Sequence, residues 1–409
     1  MKILLLPSYF IPEQMASSHL NDHRYCAFSE MGYEMQLYTP TPTRGVSDEM
    51  RTEYSARKHE EMYNGMMEVY RFSMFREGRN PLQRALRYVF CWCAQFWKGL
   101  RTKDIDLIYL ASTPPIQGVL GGLLKKIKKV PFVYNLQDIF PDSLVGTGLA
   151  KRGGLLWKIG RVIENFTYRN ADKIIVISDD FKRNIMAKGV PEEKIEVIYN
   201  WVDEDAVRPV DRGTNSLFDE LGVDKDKFTV LYAGNLGNAQ NVQILIDAAS
   251  RLKEYKDIQF IIFGTGGLES DYKELVKKND LRNVSFFPIQ PYDKVSQVYG
   301  MGHVCLVSCK EGLGGSAMPS KTWSIMSAGR AVLANFDEGD LKRILEINQC
   351  GIFTKTGDKE AFKQAILELY NDRARCEQLG RNGREFIMNN LTRAVGTQKY
   401  VDVIKAFEK

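Results

Sequence analysis

The chain reads as two doubly wound parallel α/β domains facing a cleft. Three observations predict this. Apolar runs of strand length alternate with helical segments in both halves, and the rhythm stops and restarts once, near residue 200. At 409 residues the chain also exceeds one compact core and suits two domains of roughly 200 residues each.

In the first half, KILLLPS is a short strand and residues 17–31 form a helix closed by Gly32. EMQLYTP is the next strand. Residues 41–66 are polar, lack periodicity and read as a loop with some hairpin character. MEVYRFSM follows as a strand, then a helix over 81–101 with proline at its start. IDLIYLAS, PFVYNLQ and KIIVIS are continuous apolar runs, as in strands covered on both faces, separated by helices at 115–128 and 154–170. NWVDEDAVRPVDRGTNS is polar and turn-rich, a linker by composition. Beyond it FTVLYAG, IQFIIFG, VSFFPI, HVCLVS, AVLAN and GIFT repeat the pattern. The expected division is 1–203, 204–383 and a last helical stretch, 384–409, that returns to the first domain.

Composition narrows the class. Hydrophobic content of 44% and charged content of 26% are ordinary for a globular protein, and a net charge of +5 is too small to argue for nucleic acid. Seven scattered cysteines form neither a disulfide framework nor paired zinc-site spacings, and read as reduced thiols of a cytoplasmic protein. No apolar run reaches the ~20 residues of a membrane span, and the first strand is too short for a signal peptide.

Open α/β sheets bind ligands beyond the carboxyl ends of their strands. After FTVLYA comes GNLGNAQN, residues 234–241, small residues and amides ahead of a helix. The next strand ends in GTGG, 264–267, where backbone can approach a ligand closely. It is not a dinucleotide fingerprint. Pro288 and Pro291 fix an extended loop around Ile289 whose backbone suits a flat base edge. EGLGGSAMPSK, 311–321, supplies a glycine turn, Pro319 where a first helical turn tolerates it, a Ser320 hydroxyl and the Lys321 cation. A lysine there opposes the helix dipole by up to about 1 kcal/mol unless an anion lies between them. These features point to a diphosphate.

Taken in order, GNLG-x-x-Q, GTGG, MPSK before an SAGR-terminated helix, and NLQDIFPDS resemble a family-4 retaining glycosyltransferase of GT-B fold, with two Rossmann-like domains. The likeness covers nearly the whole chain and is nearest to bacterial surface-polysaccharide enzymes of the fucosamine and fucose transferase kind. It implies that Gly234, Asn235, Gly237 and Gln240 hold the donor phosphates from one side, and Gly315, Pro319, Ser320 and Lys321 from the other. Gly264 and Gly266 would floor the nucleotide, and the backbone at Ile289 would meet the base. The donor would be a UDP- or GDP-sugar, with no metal or other cofactor. The chain departs from the family where two glutamates are usual: Ser316 and Ser324 stand there, with Glu311 as a substitute for the first. Arginine and lysine are likewise replaced by Asn235 and Gln240, which leaves Lys321 as the main visible cation.

The first half should supply the acceptor side. Glu13, Gln14 and His19 follow the first strand, and Gln137 and Asp138 follow PFVYNL. Asp138 is the candidate to orient or deprotonate the acceptor hydroxyl. A helix cap or ion pair is its plainer alternative. His19 and His23 at one-turn spacing are a poor zinc site. Helix 81–101 carries Tyr88, Phe90, Trp92, Phe96 and Trp97, and 81–129 holds nine Lys/Arg against two Asp. Such a mixture suits either an anionic membrane surface or aromatics packed on the sheet under a solvated basic face. A polyprenyl-diphosphate-linked acceptor would call for the former. The rivals are a sugar-nucleotide epimerase or hydrolase of the same fold, and a non-catalytic sugar-nucleotide sensor.

Overall fold

A computed structural model describes residues 1–13, 18–78, 80–146, 148, 150–316 and 318–408. The chain divides into a first unit, Met1–Tyr199 with Gly396–Lys409, and a second, Asn200–Val395.

The first unit is built on one eight-stranded sheet. Its strands are β1 Lys2–Leu5, β2 Glu34–Pro40, β3 His59–Met62, β4 Met67–Phe72, β5 Leu107–Ala111, β6 Phe132–Leu136, β7 Lys173–Val176 and β8 Ile195–Val197. They run in the order β3-β4-β2-β1-β5-β6-β7-β8, parallel except for the β3–β4 hairpin. The apolar runs are the central strands. Ile3, Leu4, Leu107, Ile108, Phe132 and Val133 have no exposed side-chain surface because helices cover both faces.

The second unit has six strands: β9 Phe228–Asn235, β10 Ile258–Thr265, β11 Val284–Phe287, β12 Val304–Ser308, β13 Ala331–Phe336 and β14 Gly351–Lys355. All are parallel, in the order β11-β10-β9-β12-β13-β14. This is a doubly wound sheet whose order reverses between β9 and β12, and ligands of such sheets bind at that reversal. The corresponding reversal in the first unit lies between β1 and β5.

Three local expectations change. The polar stretch 41–66 contains a helix, Asp48–Ala56, whose Ser47 cap accepts from the Met50 amide. None of its residues is buried, so it lacks the apolar period that marks a helix in sequence. Residues 201–210 are not a free linker. Trp201, Val202 and Val207 are buried in the second unit, Arg384 donates to the carbonyls of Glu204 and Val207, and Arg330 donates to that of Val210. Helix Arg373–Asn390 stays with the second unit through Cys376, Leu379, Gly380 and Ile387. The return to the first unit therefore begins at Gly396 rather than 384, on helix Arg393–Lys405, where Tyr400 is fully buried.

All seven cysteines are free thiols. Among the described residues no group of three or more His, Cys, Asp or Glu is arranged to hold a metal ion, and no helix is long and apolar enough to cross a membrane.

Candidate functional site

In the second unit the loops after β9, β10 and β12 converge because their strands are neighbours. Gly264 lies so near the β9 end that a Cβ there would sit 2.4 Å from the Gly234 carbonyl oxygen. The Gly266 Cβ would sit 2.5 Å from the Leu236 oxygen, so neither position admits a side chain. The Leu236 amide donates to Thr265 O and the Leu268 amide to Leu236 O, tying the two loops together. Within the first loop Asn235 Nδ2 lies 3.3 Å from Gln240 Oε1, and the Gln240 carbonyl accepts from Ser308 on β12.

Lys321 opens helix Lys321–Ser327. Its ammonium is not turned to solvent. Nζ lies 3.9 Å from the centroid of the Tyr232 ring, has no hydrogen-bond acceptor, and would sit 2.8 Å from a Cβ on Gly234. The Tyr232 hydroxyl donates to Asn235 O, which holds the ring in place. Burial lowers the Lys321 pKa from 10.5 to about 7. The aromatic face returns part of the lost hydration, but a buried cation without an anion costs several kcal/mol, on the order given for effective ion burial. Lys321 is thus a buried, acceptor-less cation beside Gly234 of β9.

The glycine turn before it has an organiser that the sequence reading did not single out. Asp337, the first residue after β13, accepts from the Gly312 and Gly314 amides at 2.8 and 2.9 Å. Its position just past a strand was the available signal. Glu311 and Ser320 are exposed, Ser320 makes no side-chain cap bond, and Ser324 is half-buried on the helix. Gly315 and Ile289 are exposed on their loops. The side chain of Ser316 lies outside the described residues.

In the first unit a cavity of about 180 Å³ opens at the carboxyl ends of β1, β5 and β6, where the strand order reverses. Gln137 lines it, its amide donating to Asn135 Oδ1 at 2.8 Å. The other candidates of this half are dispersed. Glu13 faces inward, not toward a ligand. Its carboxylate accepts from the amides of Phe10, Thr43 and Arg44, so it staples two loops. Burial raises its pKa, against the lowering effect of those amides. Gln14 lies outside the described residues. His19 is exposed, edge-on to His23 at 6.0 Å, and does not line the cavity. Asp138 follows β6 but turns away from the cavity and accepts from the Ser143 hydroxyl at 3.1 Å. Protein packed against its carboxyl raises its pKa above the ordinary aspartate value, although part of the residue remains open to solvent.

Helix Pro81–Arg101 divides its aromatics between two faces. Tyr88 meets the Tyr9 hydroxyl and Trp92 donates to Ile116 O, whereas Leu86, Val89, Phe90 and Trp97 are exposed. A second exposed apolar stripe, which sequence reading passed over, runs along helix Leu155–Asn170 at Leu155, Leu156, Ile159 and Val162.

Residues 214–386 match the family described as glycosyl transferases group 1, and residues 26–206 match glycosyltransferase family 4. A putative colanic acid biosynthesis glycosyl transferase, WcaI, of Escherichia coli K12 is 31% identical over 210 residues, 51% of this chain and 51% of that relative. The match thus spans about half the length of that protein. A probable glycosyltransferase, WbjE, of Pseudomonas aeruginosa is 24% identical over 75% of this chain and 76% of its own. Among solved structures, Anabaena Alr3699/HepE in complex with UDP superposes with a TM-score of 0.73 at 19% identity, covering 99% of this chain and 100% of the other. Each half of the chain therefore matches a glycosyltransferase domain family, and the architecture is GT-B.

Proposed function

We propose that this chain, a glycosyltransferase-family protein of GT-B fold, moves a sugar from a UDP- or GDP-sugar to a lipid-linked saccharide acceptor in surface-polysaccharide synthesis. The observation that carries the reading is Lys321: a buried ammonium without an acceptor, beside glycines too crowded for side chains, where β9 and β12 reverse the sheet order. A nucleoside diphosphate is the anion that such a site fits, and Lys321 is the group that would stabilise it as it leaves. The names of the relatives support polysaccharide synthesis, and the UDP complex of the structural neighbour supports the donor class.

The finer proposal is transfer with retention of anomeric configuration and without a metal, to a polyprenyl-diphosphate-linked acceptor, with a 6-deoxy or acetamido sugar such as N-acetylfucosamine as the candidate donor sugar. Asp138 is the proposed group for the acceptor hydroxyl. A raised pKa makes a carboxylate a better proton acceptor. The exposed stripes on helices 81–101 and 155–170, with Lys125, Lys126, Lys128 and Lys129 in the same unit, suit an anionic bilayer surface.

A panel of UDP- and GDP-sugars, incubated with the full chain and short-chain lipid-linked saccharides, tests this reading by nucleoside diphosphate release. Release that requires acceptor, survives chelator and yields a product of unchanged anomeric configuration supports it. Release by water alone from every donor would favour a hydrolase. Asp138→Asn is expected to lower kcat roughly 10²-fold or more, the scale of positioned general-base catalysis, while leaving nucleotide affinity as it was.

A further inference from the structure

The first-unit cavity has a chemical bias of its own. Arg24, on helix Ser18–Glu30, is 2% exposed and forms part of its wall. Nη2 donates to Asn21 Oδ1, and the guanidinium stacks on Tyr400 at 4.7 Å from the ring centroid. The Tyr400 hydroxyl also interacts with the guanidinium; Nε and Nη1 otherwise make no well-formed hydrogen bond, and no carboxylate among the described residues pairs with this arginine. Two further buried groups in the same wall, the Tyr109 hydroxyl and Asn135 Nδ2, make no well-formed hydrogen bond and interact with each other, which leaves the hydroxyl proton and an amide hydrogen to donate. The orientation of the Asn135 amide follows from its bonds, because Oδ1 already accepts from Gln137 and from Tyr400. All four atoms can donate a further hydrogen bond, and no acceptor-only side-chain atom of the described wall is buried without a partner. Asp22, the carboxylate in the described wall, is committed to the Tyr63 hydroxyl at 2.6 Å.

A buried guanidinium with spare donors, joined by a hydroxyl and an amide, is stabilised by an anion placed among them. Tyr25, Tyr63 and Tyr109 supply aromatic wall beside these donors, and a volume of about 180 Å³ is of the size of one small ring or a charged substituent. We infer that this cavity binds the anionic substituent, carboxylate or phosphate, of a saccharide acceptor, with Arg24 as its charge partner and Tyr109 and Asn135 as donors. Calling the ligand an acceptor rests on the glycosyltransferase reading. The anion preference rests on the cavity alone.

Calorimetric titration of the full chain with D-glucuronate, glucose 1-phosphate, inorganic phosphate and D-glucose tests it, with UDP titrated in parallel. An anionic sugar is expected to bind at least roughly tenfold more tightly than glucose, the scale of a hydrogen bond to a charged group. Arg24→Met should remove that advantage and Tyr109→Phe should weaken it several-fold, with UDP binding unchanged in both. Preference for glucuronate identifies a sugar acid, and preference for glucose 1-phosphate identifies a glycosyl phosphate. Inorganic phosphate binding as tightly as either sugar would overturn the saccharide assignment. Equal binding of glucose and the anions, no anion binding, or undiminished anion binding in the variants would overturn the proposal. Should Arg24→Met fail to fold, Tyr109→Phe decides, since it keeps the ring and removes only the hydroxyl. Loss of UDP binding by the wild type would count against the donor reading and leave the cavity result standing.

Discussion

The two units place a buried cation with no carboxylate partner among the described residues at the same topological point by different means. In the second, Lys321 reaches back from a helix start to lie over Tyr232 beside Gly234. In the first, Arg24 projects from the middle of a helix into a wall of tyrosines and amides. The reversal of strand order is where ligands of such sheets bind, and the side chains that line it decide what enters. A lysine close against glycine backbone suits the extended diphosphate proposed for it. An arginine in the wall of a cavity of about 180 Å³ suits a compact anion. The fold supplies the position, and the residues supply the selectivity.

The comparison breaks most sharply at Lys321. Lys321→Met should weaken nucleoside diphosphate binding roughly 10- to 100-fold, because hydrogen bonds to charged groups contribute about 1.5–3 kcal/mol. It should also stabilise the folded protein, since an apolar side chain of similar length replaces a desolvated charge. Weaker binding with a raised Tm is the signature of an anion site. Weaker binding with a lowered Tm would mark Lys321 as structural. Binding to the first-unit cavity should not change.

Gly234→Ala is a smaller perturbation of the same contact. The added methyl would sit 2.8 Å from Lys321 Nζ and 3.3 Å from the Tyr232 hydroxyl, at a φ of +150° that side chains disfavour. Displacing the flexible lysine tip should cost several-fold in nucleotide affinity and about 1 kcal/mol of stability. Calorimetric titration and thermal melting read the two effects separately.

The smallest expected effect is a proton. With a pKa of about 7, Lys321 is mostly neutral at pH 8 in the free protein, and a bound diphosphate would return it to the charged form. Nucleotide binding at pH 8 should take up close to one proton, visible as a dependence of the binding enthalpy on buffer ionisation, and much less at pH 6. The stability linkage has the corresponding sign. Between about 7 and 10.5 the unfolded lysine holds a proton that the folded one does not, so this group makes stability rise with pH there and adds no slope below about 7. Arg24 stays charged throughout, so anion binding in the first unit should show no such proton uptake. Equal proton uptake at both sites would erase the distinction drawn between them.

The sequence by itself determined the alternation of strands and helices, the single restart near residue 200, and the glycine loops after β9 and β10. Those signals are local: apolar runs of strand length, caps, and glycines where backbones meet. It also marked Lys321, because a cation ahead of a helix is anomalous without an anion. Tertiary structure decided the rest, since burial and partnership depend on residues distant along the chain. Glu13 looked like a ligand group until the Phe10, Thr43 and Arg44 amides claimed it. Asp337 holds the 312–314 turn across a strand, and the polar helix Asp48–Ala56 has no apolar period to announce it. Arg24 was silent in sequence, one basic residue on an ordinary helix. It became a site only when Tyr109, Asn135 and Tyr400 folded around it without bringing a carboxylate. Whether a charge is solvated, paired or left waiting for a ligand is a property of its surroundings, and those surroundings exist only in the folded chain.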